Sequence, residues 1–183
     1  ERTSGVGTFI AERKPHSNLL QIANIADEII SRGHRYHCEV LELGRVAAPF
    51  TIASALELTT GSSVYHLRCV HYEEDLAVQL EDRYVSPAMA PDFIHQQFDD
   101  TLQPSRYLLN TIPVDEIEHI VDALLPSEED AKALDIDVNE PCLALMRRTW
   151  SASRVVTYVK FLHPSMRYRL GSRFSVDASS RAG

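Results

Sequence analysis

Two extended runs separated by three acidic residues constrain the fold of this chain most strongly. Val64 to Tyr72 and Ala77 to Val85 are rich in β-branched and aromatic residues, and Glu73-Glu74-Asp75 lies between them. Runs of this composition around a short polar segment predict an antiparallel hairpin, with Pro87 at its end. From this hairpin onwards the chain is expected to be mainly β.

The remaining segments alternate between helical and extended patterns. Further strands are expected over Tyr36 to Val46, Val114 to Leu125, Cys142 to Thr149, Val155 to Leu162 and Tyr168 to Val176. Short helices are expected over Phe50 to Leu58, Pro91 to Phe98, Pro104 to Leu109, and from a cap at Ser127 through Leu134. The segment at Val114 also fits a helical spacing, so its type stays open. Six or seven strands with helices between hairpins indicate an α+β fold with an antiparallel sheet.

The first helix has two possible starts. Asn18 to Arg32 carries a helical apolar stripe that Gly33 ends, but Asn24 is itself a preferred N-cap. Asp27 and Glu28 would then lie at the positive end of the helix dipole. A helix that begins at Ile25 would offer unpaired N–H groups to an anion, whereas a continuous helix would not.

Composition limits the partners of the chain. Its 183 residues are 44% apolar, which is enough for one sizeable domain, and the net charge of −8 argues against direct binding of nucleic acid. The three cysteines are far apart within apolar runs, which predicts reduced core thiols rather than disulfides. No run approaches a membrane span and no signal peptide is evident, so we expect a cytoplasmic protein without a membrane partner.

A glycine-rich stretch, Gly5-Val6-Gly7-Thr8-Phe9-Ile10-Ala11, opens the chain. The two glycines permit a tight turn and the next three residues form a short β-prone run. Charged residues and Pro15 follow, as in the second arm of a hairpin that leaves into a linker.

This stretch resembles the wing of the winged helix-turn-helix in GntR-superfamily regulators. Later strings are similar to the effector-binding UTRA domain of the HutC subfamily: Leu56-Glu57-Leu58-Thr59-Thr60-Gly61, Glu81 to Pro87, Ser105-Arg106-Tyr107 and the pair from Leu143 to His163. The resemblance implies a chorismate-lyase-like fold, with residues 1–15 as a remnant of the wing and linker and residues 16–183 as the effector domain. It also implies a homodimer that binds operator DNA through a winged helix outside this chain.

Longer strings resemble the regulators of histidine utilisation within that subfamily. They are Gln79 to Val85, Pro141-Cys142-Leu143, Arg147 to Trp150, and His163-Pro164 through Arg167 to Phe174. This narrower likeness implies a repressor whose effector is urocanate, a planar imidazole joined to a carboxylate.

The resemblance also implies a set of effector-binding residues. Relatives hold an anionic ligand through a helix start, a Ser and a Tyr two apart, two basic residues on the first hairpin strand, a carboxylate on the second, and a later polar strand residue. The corresponding residues are Asn24, Ile25, Ala26, Ser105, Tyr107, Cys69, His71, Glu81 and Thr157. A thiol and an imidazole replace the basic pair, which favours a singly charged ligand over a phosphate dianion.

Other interpretations stay open for several of these residues. Glu81 could form an ion pair with Arg68 or Arg83, and a one-residue slip of the hairpin would turn it to the other face. Tyr107 could be a core ring, Ser105 a helix cap, and His71 a cross-strand partner of Gln79.

No metal, cofactor or catalytic residue is expected. His34-x-x-His37 lacks a nearby carboxylate, and the usual zinc, hydrolase and nucleotide motifs are missing from the sequence. The alternatives are a chorismate-lyase-like enzyme that uses Glu81 and His71 as an acid and base, or a sensor of another small acid or a sugar phosphate.

Overall fold

The computed structural model describes residues 16–18 and 24–171. The strands are β1 His16–Asn18, β2 Tyr36–Ala47, β3 Ser63–Glu73, β4 Leu76–Val85, β5 Glu116–Leu124, β6 Cys142–Ser151, β7 Arg154–Pro164 and β8 Arg169–Gly171. The helices are α1 Ile25–Ser31, α2 Phe50–Ala55, α3 Pro104–Thr111 and α4 Glu128–Leu134. The predicted wing and linker over residues 1–15 lie outside the described residues.

Six strands form one antiparallel sheet in the order β2-β3-β4-β7-β6-β5. The predicted hairpin is confirmed as β3 and β4, with Cys69 opposite Glu81 and His71 opposite Gln79. The ambiguous segment at Val114 contains a strand, β5, that pairs with β6 along its whole length. The α+β class and the antiparallel sheet are therefore confirmed.

The last predicted strand pairs differently from the rest. Within the described residues it covers only Arg169–Gly171, and it lies parallel to β1, with His16 opposite Arg169. These two strands form a separate two-stranded sheet beside the six-stranded one. A segment near the start of the chain is thus tied to one near its end.

Side-chain caps set where two of the helices begin. The Asn24 side chain accepts a hydrogen bond from the Ala26 N–H at 3.1 Å, so α1 begins at Ile25, the second of the two expected starts. Ser127 caps α4 in the same way through the Asp130 N–H. Two predicted helices are shorter than expected. The helix predicted over Phe50 to Leu58 is α2 and ends at Ala55, and the segment Pro91 to Phe98 contains only a 3-10 turn, Phe93–His95.

Both faces of the sheet are covered. On one face α1 and the 3-10 turn pack against residues such as Leu67 and Cys69. On the other, Leu134 of α4 packs against Leu80 and Leu162. Of the helices within the described residues, none has the length and apolar run needed to cross a membrane.

Arg167 ties α4 to the start of β4. Its guanidinium donates to the carbonyl oxygens of Ala77 at 2.8 Å, Leu134 at 2.7 Å and Asp135 at 2.7 Å. Asp135 has a left-handed backbone, so the cation satisfies carbonyls where the helix ends.

We expect Arg167→Ala to lower the free energy of unfolding by about 2 kcal/mol, because charge-assisted hydrogen bonds to three carbonyls are lost. Urea denaturation of the wild type and the variant measures the difference. Arg154→Ala is the matched control, since Arg154 is exposed. Equal losses in the two variants would contradict this role for Arg167.

Candidate effector site

A small, partly enclosed cavity lies between the sheet and the helices that cover it. It is lined by Asn24, Ile25, His71, Gln79, Glu81, Gln103, Ser105, Leu145, Arg147, Phe161, His163, Tyr168 and Leu170. The space open to the centre of a water-sized sphere is about 30 Å³, enough for about two water molecules. Polar and charged side chains supply most of the wall.

Strand register determines which residues form the floor. Glu81 pairs with Phe161 and Phe161 with Leu145, so these three form one row across β4, β7 and β6. Because side chains alternate between faces, residues two positions away point to the same side. Gln79 therefore lies on one side of this row and Arg147 on the other. The Phe161 ring and the Leu145 methyl groups lie between them.

Buried charges meet at one edge of the floor. Glu81, Arg83 and His71 are 2%, 2% and 1% exposed. One carboxylate oxygen of Glu81 accepts from Arg83 Nε at 2.5 Å, and the other contacts His71 Nε2 at 3.1 Å. His71 Nδ1 contacts the Tyr36 hydroxyl at 2.7 Å, so both ring nitrogens have partners.

The neighbouring charges determine the protonation of this group. Burial lowers the pKa of His71, but hydrogen bonds to Cys38 and Glu81 outweigh it and raise the pKa to about 9. Burial raises the pKa of Glu81, yet Arg83 and His71 lower it to about 2. At neutral pH the network therefore holds a carboxylate between an imidazolium and a guanidinium.

A chain of neutral groups leaves one acceptor unused. Burial lowers the pKa of His163 to about 3, and its Nδ1 donates to the Val78 carbonyl at 3.2 Å. His163 Nε2 then accepts from Gln79 Nε2 at 3.4 Å. The other end of that amide, Gln79 Oε1, is buried without a hydrogen-bond partner in the described part of the chain. A buried unpaired acceptor indicates a place for a donor that comes from outside.

Arg147 forms part of the wall on the other side. Its Nε donates to His119 Nε2 at 2.7 Å and its guanidinium lies 5.1 Å from the centre of the Phe161 ring. Burial and the nearby Arg83 lower its pKa to about 10, so it remains a cation at neutral pH. Arg147 and Ser105 also line a second cavity of about 20 Å³, so the two cavities adjoin.

Five of the nine predicted site residues line the first cavity: Asn24, Ile25, His71, Glu81 and Ser105. Ser105 Oγ accepts from Arg83 Nη2 at 2.8 Å, and Thr157 Oγ1 accepts from Arg83 Nη1 at 3.2 Å. Thr157 lines the second cavity and also donates to the Tyr84 carbonyl. The two hydroxyls therefore position Arg83.

The other predicted residues lie away from the cavity. Tyr107 packs its ring edge-on against Phe93 and Phe98, as in its alternative interpretation as a core ring. The Ala26 N–H is occupied by Asn24, which leaves it unavailable as an anion donor. Cys69 is fully buried beneath His71, with its sulphur 3.4 Å from His71 Nε2.

Sequence reasoning missed several wall residues, chiefly Gln79, Gln103, Arg147, His163 and Tyr168. A usable signal existed for three of them. Gln79 is two residues from Glu81 on β4. Arg147 is two residues from Leu145 on β6 and His163 two residues from Phe161 on β7, so their side chains point to the same face as the floor row. Arg148, the next residue on β6, lines neither cavity and pairs with Glu118 at 2.8 Å.

A partly enclosed polar cavity between an antiparallel sheet and its helices is suited to binding a small molecule. The chain belongs to the UTRA domain family, whose model matches residues 31–169. This is the effector-binding domain of the HutC subfamily of GntR transcriptional regulators.

Individual members of this family with known names or structures are also similar to the chain. Over 175 residues the chain is 49% identical to the histidine utilization repressor of Pseudomonas aeruginosa, covering 95% of this chain and 69% of that protein. The crystal structure of the C-terminal domain of the histidine utilization repressor from Pseudomonas syringae has a TM-score of 0.75 at 42% identity, covering 78% of this chain and all of that one. PhnF from Mycobacterium smegmatis shares the fold, with a TM-score of 0.79 at 16% identity over 90% of this chain and 73% of that one.

We expect Glu81→Leu to destabilise the protein by about 3 to 5 kcal/mol, because it leaves the Arg83 charge buried without a counterion. The double variant Glu81→Leu/Arg83→Met should be more stable than Glu81→Leu alone. A double-mutant cycle in urea measures this coupling. Asp75→Ala, at the exposed Arg35–Asp75 pair, should have no measurable effect. Additive losses at Glu81 and Arg83 would show that their charges do not depend on each other.

Proposed function

We propose that this chain is the effector-sensing domain of a repressor of histidine-utilisation genes and that its effector is urocanate. One observation carries the proposal: an unused acceptor, Gln79 Oε1, and a buried cation, Arg147, lie on opposite sides of an apolar floor. The likeness to histidine utilization repressors, at 43% to 49% identity, supports the same assignment.

Urocanate matches these features group by group. Its carboxylate would accept from the Arg147 guanidinium, and its imidazole N–H would donate to Gln79 Oε1. The flat conjugated body would lie on Phe161 and Leu145. A ligand of this kind satisfies the unused acceptor and supplies a counterion for the buried cation in a single step.

The charge of the cavity favours a monoanion. Glu81 already neutralises one of the nearby cations, and His71 stands where a basic pair binds phosphates in the resemblance described above. A sugar phosphate would bring two negative charges to a site where Glu81 repels them. Another small monocarboxylic acid is the remaining alternative.

Binding requires the cavity to enlarge, because urocanate is larger than two water molecules. The second cavity adjoins the first across Arg147 and Ser105. Movement of the Arg147 side chain would join the two spaces. Ligand entry and a change of conformation are therefore coupled in this proposal.

We also propose that the domain does not catalyse a reaction. The acid–base pair that a chorismate-lyase-like enzyme would use here is Glu81 and His71, and both carboxylate oxygens already contact Arg83 and His71. A general base needs a free oxygen within reach of the proton that it removes. The relatives, moreover, are named as repressors.

The signal would pass to operator DNA through the N-terminal side of the domain, with residues 1–15 as the end of a wing and a linker. Leu170 of β8 lines the cavity, and β8 pairs with β1, which follows that linker directly. A coupling of about 1 to 3 kcal/mol between ligand and DNA would be typical. The proposed homodimer could use β5, an edge strand that exposes Ile120 and Val121.

We expect saturable binding of urocanate, measured by calorimetric titration, that Arg147→Met and Gln79→Met each weaken by about five- to 150-fold. The magnitude follows from loss of a charge-assisted or buried hydrogen bond, worth about 1 to 3 kcal/mol. Arg148→Met and Tyr107→Phe are the matched controls, because both side chains lie outside the cavity, and they should bind as the wild type does.

Histidine and N-acetylglucosamine 6-phosphate serve as comparison ligands, and thermal unfolding shows that each variant is folded. Failure of folded wild-type protein to bind urocanate would rule out this effector. Equal weakening by Arg147→Met and Arg148→Met would rule out the cavity as the site. Turnover of urocanate or chorismate would contradict a purely sensory role.

A further inference from the structure

Two of the three cysteines meet beneath the floor of the cavity. Cys38 of β2 lies opposite His71 of β3 in the strand register, and Cys69 precedes His71 by two residues on the same face. The two sulphur atoms and one ring nitrogen of His71 all lie within 4.8 Å of one another, and all three residues are buried. Thirty residues of chain between the cysteines hide this cluster in the sequence.

We propose that Cys38, Cys69 and His71 bind a zinc ion, with the carboxylate of Glu81 as the fourth ligand. Zinc takes four ligands of the thiolate, imidazole and carboxylate types in a tetrahedral arrangement. The site lies on residues that the effector proposal does not require to touch urocanate, so the two proposals stand separately.

The separation of Cys69 and His71 matches that between ligand atoms around zinc, and the contact between His71 and Glu81 is slightly shorter. Bond lengths of about 2.3 Å to sulphur and about 2.0 to 2.2 Å to nitrogen and oxygen place tetrahedral ligand atoms roughly 3.4 to 3.6 Å apart when they include nitrogen. Cys69 Sγ and His71 Nε2 are separated by 3.4 Å, and His71 Nε2 and Glu81 Oε2 by 3.1 Å. The ligand atoms of Cys38, Cys69 and His71 are close enough to share one ion, and the Glu81 carboxylate would have to move toward the two sulphur atoms to join them.

Surrounding groups would hold the ligands in place. His71 Nδ1 contacts the Tyr36 hydroxyl at 2.7 Å, which orients the ring so that Nε2 faces the sulphur of Cys69. Glu81 Oε1 accepts from Arg83 Nε, and Oε2, which contacts His71 Nε2, would turn to the metal when His71 loses that proton. Such outer partners orient the ligands of metal sites in general.

The charges balance without a further counterion. Two thiolates and one carboxylate carry three negative charges, which the zinc ion and the Arg83 guanidinium neutralise. Binding would displace the protons on the thiols and on His71 Nε2 to solvent. His71 and Glu81 also form part of the cavity wall, which provides a path of entry for the ion.

Ligand chemistry selects the metal. Thiolate and imidazole suit zinc, whereas magnesium and calcium prefer oxygen ligands. Cobalt(II) can replace zinc as a spectroscopic probe of the same tetrahedral arrangement.

The test is a titration of Zn²⁺ into chain made metal-free with a chelator and kept reduced, followed by competition with a chromophoric chelator. We expect one Zn²⁺ per chain, an affinity at least about tenfold weaker in Cys38→Ser and Cys69→Ser, and a rise in melting temperature that these two variants do not show. Cys142→Ser is the matched control, because Cys142 is equally buried but lies on the opposite face against α4. It should bind as the wild type does.

Cobalt(II) bound to the wild type provides a second measurement that needs no variant. Tetrahedral cobalt with thiolate ligands gives intense visible bands and a sulphur-to-metal charge-transfer band in the ultraviolet. Folded wild-type chain that binds no stoichiometric Zn²⁺ would overturn the proposal. So would a cobalt spectrum without thiolate bands, or an equal affinity in Cys38→Ser and Cys142→Ser.

Discussion

The buried carboxylate of Glu81 is the group on which the arrangement of the cavity depends. It accepts from Arg83 and contacts His71. Arg83 in turn donates to Ser105 and Thr157, which ties β4 to α3 and β7. Because a buried charge must be paired, the position of this one anion dictates where two cations and two hydroxyls lie.

Local signals explain most of what the sequence predicts about the fold. Asn24 and Ser127 mark helix starts through a side chain that accepts a backbone N–H nearby, which requires no knowledge of the rest of the chain. The alternating runs of β3 and β4 are equally local. The type of β5 could not be decided locally, because its apolar residues fit two periods, and its long-range pairing with β6 decides it. The pairing of His16 with Arg169 joins distant segments and has no local signal.

The candidate site was harder to predict, because it depends on register. A one-residue slip of the hairpin would have turned Glu81 away from α1, and only the pairing with Cys69 fixes its face. Resemblance assigns direct ligand roles to Ser105 and Thr157, and the structure shows that both hydroxyls accept hydrogen bonds from Arg83. Cys38 and Cys69 looked like separate core thiols because nothing in their spacing shows that β2 and β3 bring them together.

Arg147 gives a physical reason for this cavity to respond to an anion. A guanidinium has five donors, yet among the described residues the only hydrogen-bond partner of this buried group is His119. Its contact with the Phe161 ring and its attraction to the Glu81 carboxylate compensate for only part of the lost hydration. An anion that enters would supply the missing partner. Its binding energy would then include recovery of part of the cost of burying the Arg147 guanidinium away from water. Since Arg147 lines both cavities, the same contact that satisfies the cation would also act on the side chain between them.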